Sequence, residues 1–351
     1  MGWFRTTVIV LTGLALLLLS LTGAVLLARH LRPMVHRQST PQETLPVLIE
    51  KLRSGASFEE RVAAGRAIIA DGPQALAAAL DAVCQVTAAD AQPVIAPQVL
   101  QALRAAASDN AAALGEALSA DKVNVRIAAA MVLRQLGTKA RPALDALAKA
   151  AGDENRWVRW SAAEAIGGVG PDAASVVDRL LPLLDHEDRF TRRRVATALG
   201  RIGPAAASAA QRLDKAQKED PDPAVRQAAA AALYLVNLES LSAAAAAEAS
   251  PDVQKLLTEL KQDDEYASVA AANKLRDLGP QAKQAVPALA LALRSKHKWV
   301  RVAAAEALAA IGPDAQPVLA CLEQAASEGD ADLRAAAQAA KQKIEGRPLP
   351  N

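Results

Sequence analysis

Two patterns of hydrophobic and polar positions divide the chain. From Val8 to Ala28 the sequence VIVLTGLALLLLSLTGAVLLA runs for 21 residues without a charge. At about 1.5 Å per residue this covers the roughly 30 Å hydrocarbon core of a bilayer, so the run predicts a transmembrane helix. A cleaved secretory signal has an apolar stretch of only about 7–15 residues and a small-residue exit. Here the run ends in Arg29-His30-Leu31-Arg32. From residue 45 onwards apolar residues recur at i, i+3 and i+4, the stripe of amphipathic helices. Between the two patterns, residues 29–44 combine Pro33, Pro41 and basic side chains without an apolar period and read as a juxtamembrane linker. Residues 1–7 and 347–351 are left as tails.

Glycines close the helical stripes at a fixed spacing. Gly137, Gly170 and Gly203 lie 33 residues apart, as do Gly279 and Gly312. Gly72 stands 65 residues before Gly137, two periods, and Gly346 closes the last unit. Proline follows at Pro73, Pro171, Pro204, Pro280 and Pro313, which joins a glycine helix stop to a helix start. Twelve residues before the glycines falls one dipeptide register: Val125-Arg126, Val158-Arg159, Thr191-Arg192, Val300-Arg301 and, by extension, Leu333-Arg334. The 76 residues from Gly203 to Gly279 fit two units, with Asn237 replacing a glycine behind Val225-Arg226 and an insertion of about nine residues near 242–250. Alanines follow each register at fixed offsets, suited to close helix contact. Each unit thus reads as helix, turn, helix, and the fold class as all-α.

The consensus D-x-x-x-x-V-R-x-x-A-A-x-A-L-x-x-I-G-P resembles the short HEAT-like repeat, of the type also found in phycobilisome lyase subunits. Residues Asp153 to Pro171, DENRWVRWSAAEAIGGVGP, match it almost throughout. The resemblance covers about residues 45–346 and is weakest over Val94 to Ala107 and at Ala267-Ser268, where Val-Arg is expected. It implies an α-solenoid of roughly nine helix pairs stacked into a right-handed superhelix, with the second helices along the concave side, preceded here by one transmembrane helix.

Composition narrows the function classes. Lys+Arg 40 against Asp+Glu 38 excludes a polybasic nucleic-acid-binding chain, and aromatics at 3% argue against β-sandwiches and barrels. The two cysteines, Cys84 and Cys321, are far apart and suggest neither a disulfide framework nor a zinc site. Of four histidines, His30 and His36 are juxtamembrane, while His186 and His297 fall in turns of different repeats. No Ser/His/Asp or metal-ligand spacing results. Deoxyhypusine hydroxylase, built from related repeats, holds its iron pair through several His-Glu dipeptides; this chain has only His186-Glu187. No catalytic residue, metal or cofactor is therefore expected.

Two sets of side chains stand out. The repeated arginines Arg126, Arg159, Arg192, Arg226, Arg301 and Arg334 each follow a turn that, in most units, carries an aspartate: Asp121, Asp153, Asp188, Asp222 or Asp330. An aspartate there can cap a helix and pair with a neighbouring arginine, so a structural inter-repeat ladder is expected, rather than a phosphate-binding stripe. The second set is aromatic. Trp157, Phe190, Tyr266 and Trp299 all precede the Val-Arg register, among basic residues. Packing at the helix start explains an aromatic at that position. With Arg156, Trp160, Arg189, Arg193, Lys296 and Lys298 they also define a candidate partner-binding ridge.

The function expected is a membrane-anchored, non-catalytic scaffold or adaptor that binds another protein through its solenoid surface. The alternative is a HEAT-like accessory subunit of a bilin lyase-type or other modifying enzyme. Nucleic acid and small-molecule substrates are disfavoured. Counting fixed positive charges, Arg5 and the amino terminus stand against Arg29, Arg32 and Arg37. The margin of one charge favours a cytoplasmic repeat domain and leaves the periplasmic or extracytoplasmic side open.

Overall fold

The structure, a computed structural model, describes residues 43–85, 93–328 and 330–346. The transmembrane helix expected at Val8–Ala28 and the two tails lie outside the described residues. Among the described residues no single helix is long and apolar enough to cross a membrane.

Among the described residues nine units follow one another, all but the seventh a pair of helices. The first three pair α1 (Leu45–Ser54) with α2 (Phe58–Ala70), α3 (Pro73–Val83) with α4 (Pro97–Ala106), and α5 (Ala111–Ala117) with α6 (Val123–Leu136). In the next three the first helix opens with a seven-residue 3-10 turn: Gly137–Ala143 leads into α7 (Leu144–Ala150) and on to α8 (Arg156–Val169). Gly170–Val176 leads into α9 (Val177–Leu180), a second 3-10 turn and α10 (Arg189–Ile202); Gly203–Ala209 leads into α11 (Ala210–Glu219) and α12 (Pro223–Val236). The seventh unit holds α13 (Leu238–Glu248), α14 (Pro251–Leu260) and α15 (Glu265–Leu278). The last two repeat the regular form, with α16 (Val286–Ala292) and α17 (Lys298–Ile311), then α18 (Leu319–Glu328) and α19 (Ala331–Ile344).

Glycine stops the second helices as its spacing predicts. Gly170 and Gly203 sit at φ +73° and +72°, in the left-handed region that side chains resist, and the following proline starts the next turn. Small residues then let second helices pack almost backbone to backbone. A Cβ added to Gly200 on α10 would lie 2.9 Å from the Ala232 Cα on α12, whereas one added to Gly168 would meet nothing closer than 3.6 Å. Gly200→Ala is expected to destabilise by about 1–2 kcal/mol through overpacking. Gly168→Ala is expected to stabilise by up to about 1 kcal/mol through helix propensity. Urea unfolding of the two variants checks the opposite signs.

The stack is interrupted once. One hydrophobic core runs from Leu48 to Val236 and a second from Leu235 to Ile344. Neighbouring second helices pack side by side through α6, α8, α10 and α12, and again through α15, α17 and α19, but α12 and α15 barely touch. The cause is local. Asn237 stands where glycine is expected, with φ −96° and ψ 10°, so no left-handed turn forms and the chain passes at once, through a bend of 68°, into the alanine-rich α13. The residues around the expected insertion are thus an added helix, which packs against the next unit's Gly279–Ala285 turn and α16. The expected all-α solenoid is present, with its core divided into two arrays within one compact unit.

A candidate basic and aromatic interface

From the fourth unit onwards, most turns before a second helix are built in the same way. The capping residue, Asn155, Asp188, Asp222, Asp264 or Asp330, accepts backbone N–H groups of the first helical turn. Two residues earlier another side chain accepts the capping residue's own N–H: Asp153 at 2.8 Å, His186 Nδ1 at 2.9 Å, Asp220 at 2.9 Å and Ser295 at 3.2 Å. The arginine four residues after the cap then donates Nη1 to two carbonyls of this turn, as Arg159 does to Asp153 and Glu154 at 2.7 and 2.8 Å. Arg126, Arg192, Arg226 and Arg301 make the same pair of bonds.

The outer edges of four of these guanidinium groups face the following repeat. Arg126 is bidentate to Asp153, and Arg192 to Asp220 at 2.7 and 3.0 Å. Arg159 lies 3.9 Å from Asp188, and Arg301 3.4 Å from Asp330. The hydrogen bonds they donate to Asp153 and Asp220 raise Arg126 and Arg192 above the usual guanidinium value, against partial burial. Asp153 and Asp220 stand two residues before their caps, whereas Asp188 and Asp330, which Arg159 and Arg301 approach, are themselves caps, so the ladder uses both positions. Ser268 occupies the arginine position of α15; its buried hydroxyl lies 3.1–3.4 Å from the carbonyl oxygens of Glu259, Leu260 and Gln262, one donor shared among three acceptors. A short side chain thereby closes the turn that lacks the expected Val-Arg.

The candidate ridge separates into two patches. On the first array, Trp157 and Trp160 meet edge-on with ring centroids 4.8 Å apart, and Trp160 lies 5.2 Å from Phe190. Guanidinium groups cover these rings: Arg156 over both tryptophans, Arg189 and Arg193 over Phe190, Arg194 over Trp160 at 4.6 Å. Trp160 itself is turned inward, 8% exposed, with its indole N–H shared between Asp188 at 2.8 Å and Thr191 at 3.2 Å. It supports the patch from below and is not part of an exposed ridge. Asp188, which caps α10, accepts the Trp160 indole N–H and the Thr191 hydroxyl together with two backbone N–H groups. Burial works to raise its carboxyl, but the hydrogen bonds prevail and hold it below the ordinary aspartate value.

The second patch lies on the other array. Trp299 is 54% exposed beneath Lys298, 4.7 Å from its ring, and Tyr266 is 89% exposed. Its lysines are paired: Lys296 with Asp263 at 2.6 Å and Lys298 with Asp332 at 2.5 Å. Ala224 stands at the aromatic position of α12, so no ring bridges the patches.

Sequence reasoning missed a third basic feature. A cavity of about 580 Å³ lies over the second helices of the first array, with Arg104, Arg134, Arg193, Arg194 and Arg201 in its wall and α18 of the other array across from them. Glu164 bridges two of these arginines, to Arg134 at 2.8 Å and Arg194 at 2.9 Å. Arg104, Arg134 and Arg201 all fall in the last turns of second helices, where basic residues complement the helix dipole. That position was legible; the cavity between arrays was not.

The groups that could react are protected or engaged. Cys84 is buried and its thiol is pushed up to about 11 by burial and the Asp81 charge; burial likewise raises Cys321. His186 Nδ1 is taken by the Asp188 N–H. Among the described residues no group of three or more His, Cys, Asp or Glu could hold a metal ion.

The family model for HEAT repeats matches residues 111–176, 144–234 and 253–341, breaking off across α13. No curated protein matches the chain. Similar solved structures include an engineered protein at 21% identity, covering 87% of this chain and 89% of that one, with a TM-score of 0.34. The complex of CpcE and CpcF of phycocyanin lyase from Nostoc sp. PCC7120 is 21% identical over 81% of this chain and 96% of that one, TM-score 0.33. Importin beta is 14% identical over 89% of this chain and 53% of that one, TM-score 0.37.

Proposed function

Because this chain belongs to the HEAT-repeat family, we propose that it is a non-catalytic scaffold or adaptor that binds another protein and is held at the membrane by Val8–Ala28. The observation that carries this reading is the exposed pair Tyr266 and Trp299, large rings left in solvent at helix starts on a rigid array. Rings of this kind anchor interfaces because they bury much area while losing few rotamers. The Trp157–Phe190 patch offers a second anchor with its guanidinium groups already in place. Preformed helices lose little conformational entropy on binding, so modest contact suffices for useful affinity. On the charge count around the apolar run, the repeats face the cytoplasm.

A photoreactive residue placed at Trp299, Tyr266 or Arg189 of the full-length chain tests the reading in its native membrane. One protein cross-linked from these positions, and not from Arg212 on another surface, is the expected result. Absence of any protein adduct, or co-purification of a pigment or cofactor with the chain, would overturn it.

A further inference from the structure

We propose that the cavity between the two arrays is a receptor for an acidic peptide segment of the partner protein; the inference rests on the adaptor reading and adds the chemistry of what is bound. The walls carry five arginines, Arg104, Arg134, Arg193, Arg194 and Arg201, against the carboxylates Glu164 and Glu323. Glu164 takes one guanidinium on each oxygen, which shows how a carboxylate sits among these side chains. It leaves donors over. Arg134 Nε and Arg194 Nη1 are buried and have no hydrogen-bond partner. The Arg104 and Arg201 side chains make no ion pair with any carboxylate among the described residues, and Arg193 engages only the Phe190 ring. A carboxylate placed in the cavity would accept charge-assisted bonds from the Arg104, Arg193 and Arg201 guanidinium groups, which line it without a carboxylate partner among the described residues.

Size and composition favour a short peptide over other anions. About 580 Å³ admits a few residues of extended chain and is too small for a folded surface. A single-stranded nucleic acid needs open aromatic faces for its bases and an unbroken basic track. Here Trp160 is buried, guanidinium groups cover the neighbouring rings, and Glu164 and Glu323 interrupt the positive wall. Discrete carboxylates threaded between them fit better than a continuous phosphodiester. The chain's own N-terminal segment is excluded by charge, since residues 1–42 hold Arg5, Arg29, Arg32 and Arg37 and no acidic residue. Arg193 and Arg194 reach both the cavity and the Trp160–Phe190 patch, so a bound segment would leave the cavity directly onto that aromatic surface.

The test uses the full-length chain in detergent micelles and a fluorescent octa-glutamate peptide, followed by polarisation at about 0.1 M salt. The unmodified protein is expected to bind the peptide, and to bind an oligothymidylate of equal charge at least about tenfold more weakly. Arg104→Gln with Arg201→Gln breaks no ion pair of the fold and is expected to weaken peptide binding about tenfold or more, one lost charge-assisted bond being enough for that factor. Arg212→Gln, whose partner Asp185 lies elsewhere, should bind as the unmodified chain does. Equal peptide affinity in the Arg104/Arg201 double variant, no binding of octa-glutamate, or tighter binding of the oligothymidylate each overturns the site. None of these touches the photo-cross-linking result, so failure of the cavity and failure of the adaptor reading remain distinguishable.

Discussion

Arg192→Ala should be the most damaging single substitution at the repeat turns, lowering stability by about 3–5 kcal/mol. Arg192 is 9% exposed and holds four bonds at once: two to Asp220 and two to the carbonyls of His186 and Glu187. Its removal strands the Asp220 carboxylate, whose side chain is 5% exposed, together with two turn carbonyls. The cost of an uncompensated buried charge exceeds what the ion pair itself contributes, so Arg192→Ala combined with Asp220→Asn should recover a substantial part of the loss. Arg226→Ala supplies the comparison. Arg226 closes its own turn by the same two carbonyl bonds, but α12 is followed by the break and no aspartate among the described residues receives its outer edge, so about 1 kcal/mol is expected. Urea titration orders the three variants, and hydrogen exchange along α10 and α12 locates the damage, which matters because repeat arrays do not unfold as one cooperative unit. Equal losses from Arg192→Ala and Arg226→Ala would show that the turn bonds dominate and the inter-repeat pair adds nothing.

The contrast between these two arginines marks how far the sequence could be read. The period, the glycine stops and the Val-Arg register are local signals, carried by residues that fix backbone conformation or recur at constant spacing, and they locate nearly every helix boundary in the array. Which aspartate an arginine meets depends on a sub-residue matter of turn geometry: Arg159 and Arg301 approach the capping Asp188 and Asp330, while Arg192 pairs with Asp220, two residues before its cap. Spacing alone does not separate the two roles, because both sit in the same short turn. The inward turn of Trp160 was hidden for a similar reason. Trp157 and Trp160 are three residues apart and look alike in a helical pattern, yet the second falls into the groove against Thr191 and Asp188. The interruption was visible as an excess of about nine residues. Its consequence was not, since the contact between the arrays joins residues more than ninety positions apart, as Arg294 does with Arg201 and Ile202.

That contact carries the second large effect. Arg294→Ala is expected to loosen the two arrays from one another while leaving each one folded. The Arg294 guanidinium lies against Gly203 and donates to the carbonyls of Arg201 and Ile202 at 3.0 and 3.2 Å, in the last turn of α10. Carbonyls there have no partner within their own helix and form the negative end of its dipole, so a cation is well placed. The substitution deletes two charge-assisted bonds at the seam and exposes those carbonyls again. A shift of about 2 kcal/mol, roughly thirtyfold towards the separated form, is the expected size. Hydrogen exchange should quicken at the seam, in α18 and the end of α10, with the cores around Leu133 and Leu308 unchanged. Uniform acceleration through both cores would mean instead that Arg294 stabilises the fold as a whole. Because the arginine cavity has one wall on each array, an octa-glutamate peptide that touches both must bind the separated form less tightly, and by linkage its presence must slow exchange at the same seam. Arg294→Ala should therefore weaken peptide binding although Arg294 itself does not line that cavity, and saturating peptide should restore part of the lost protection at α18.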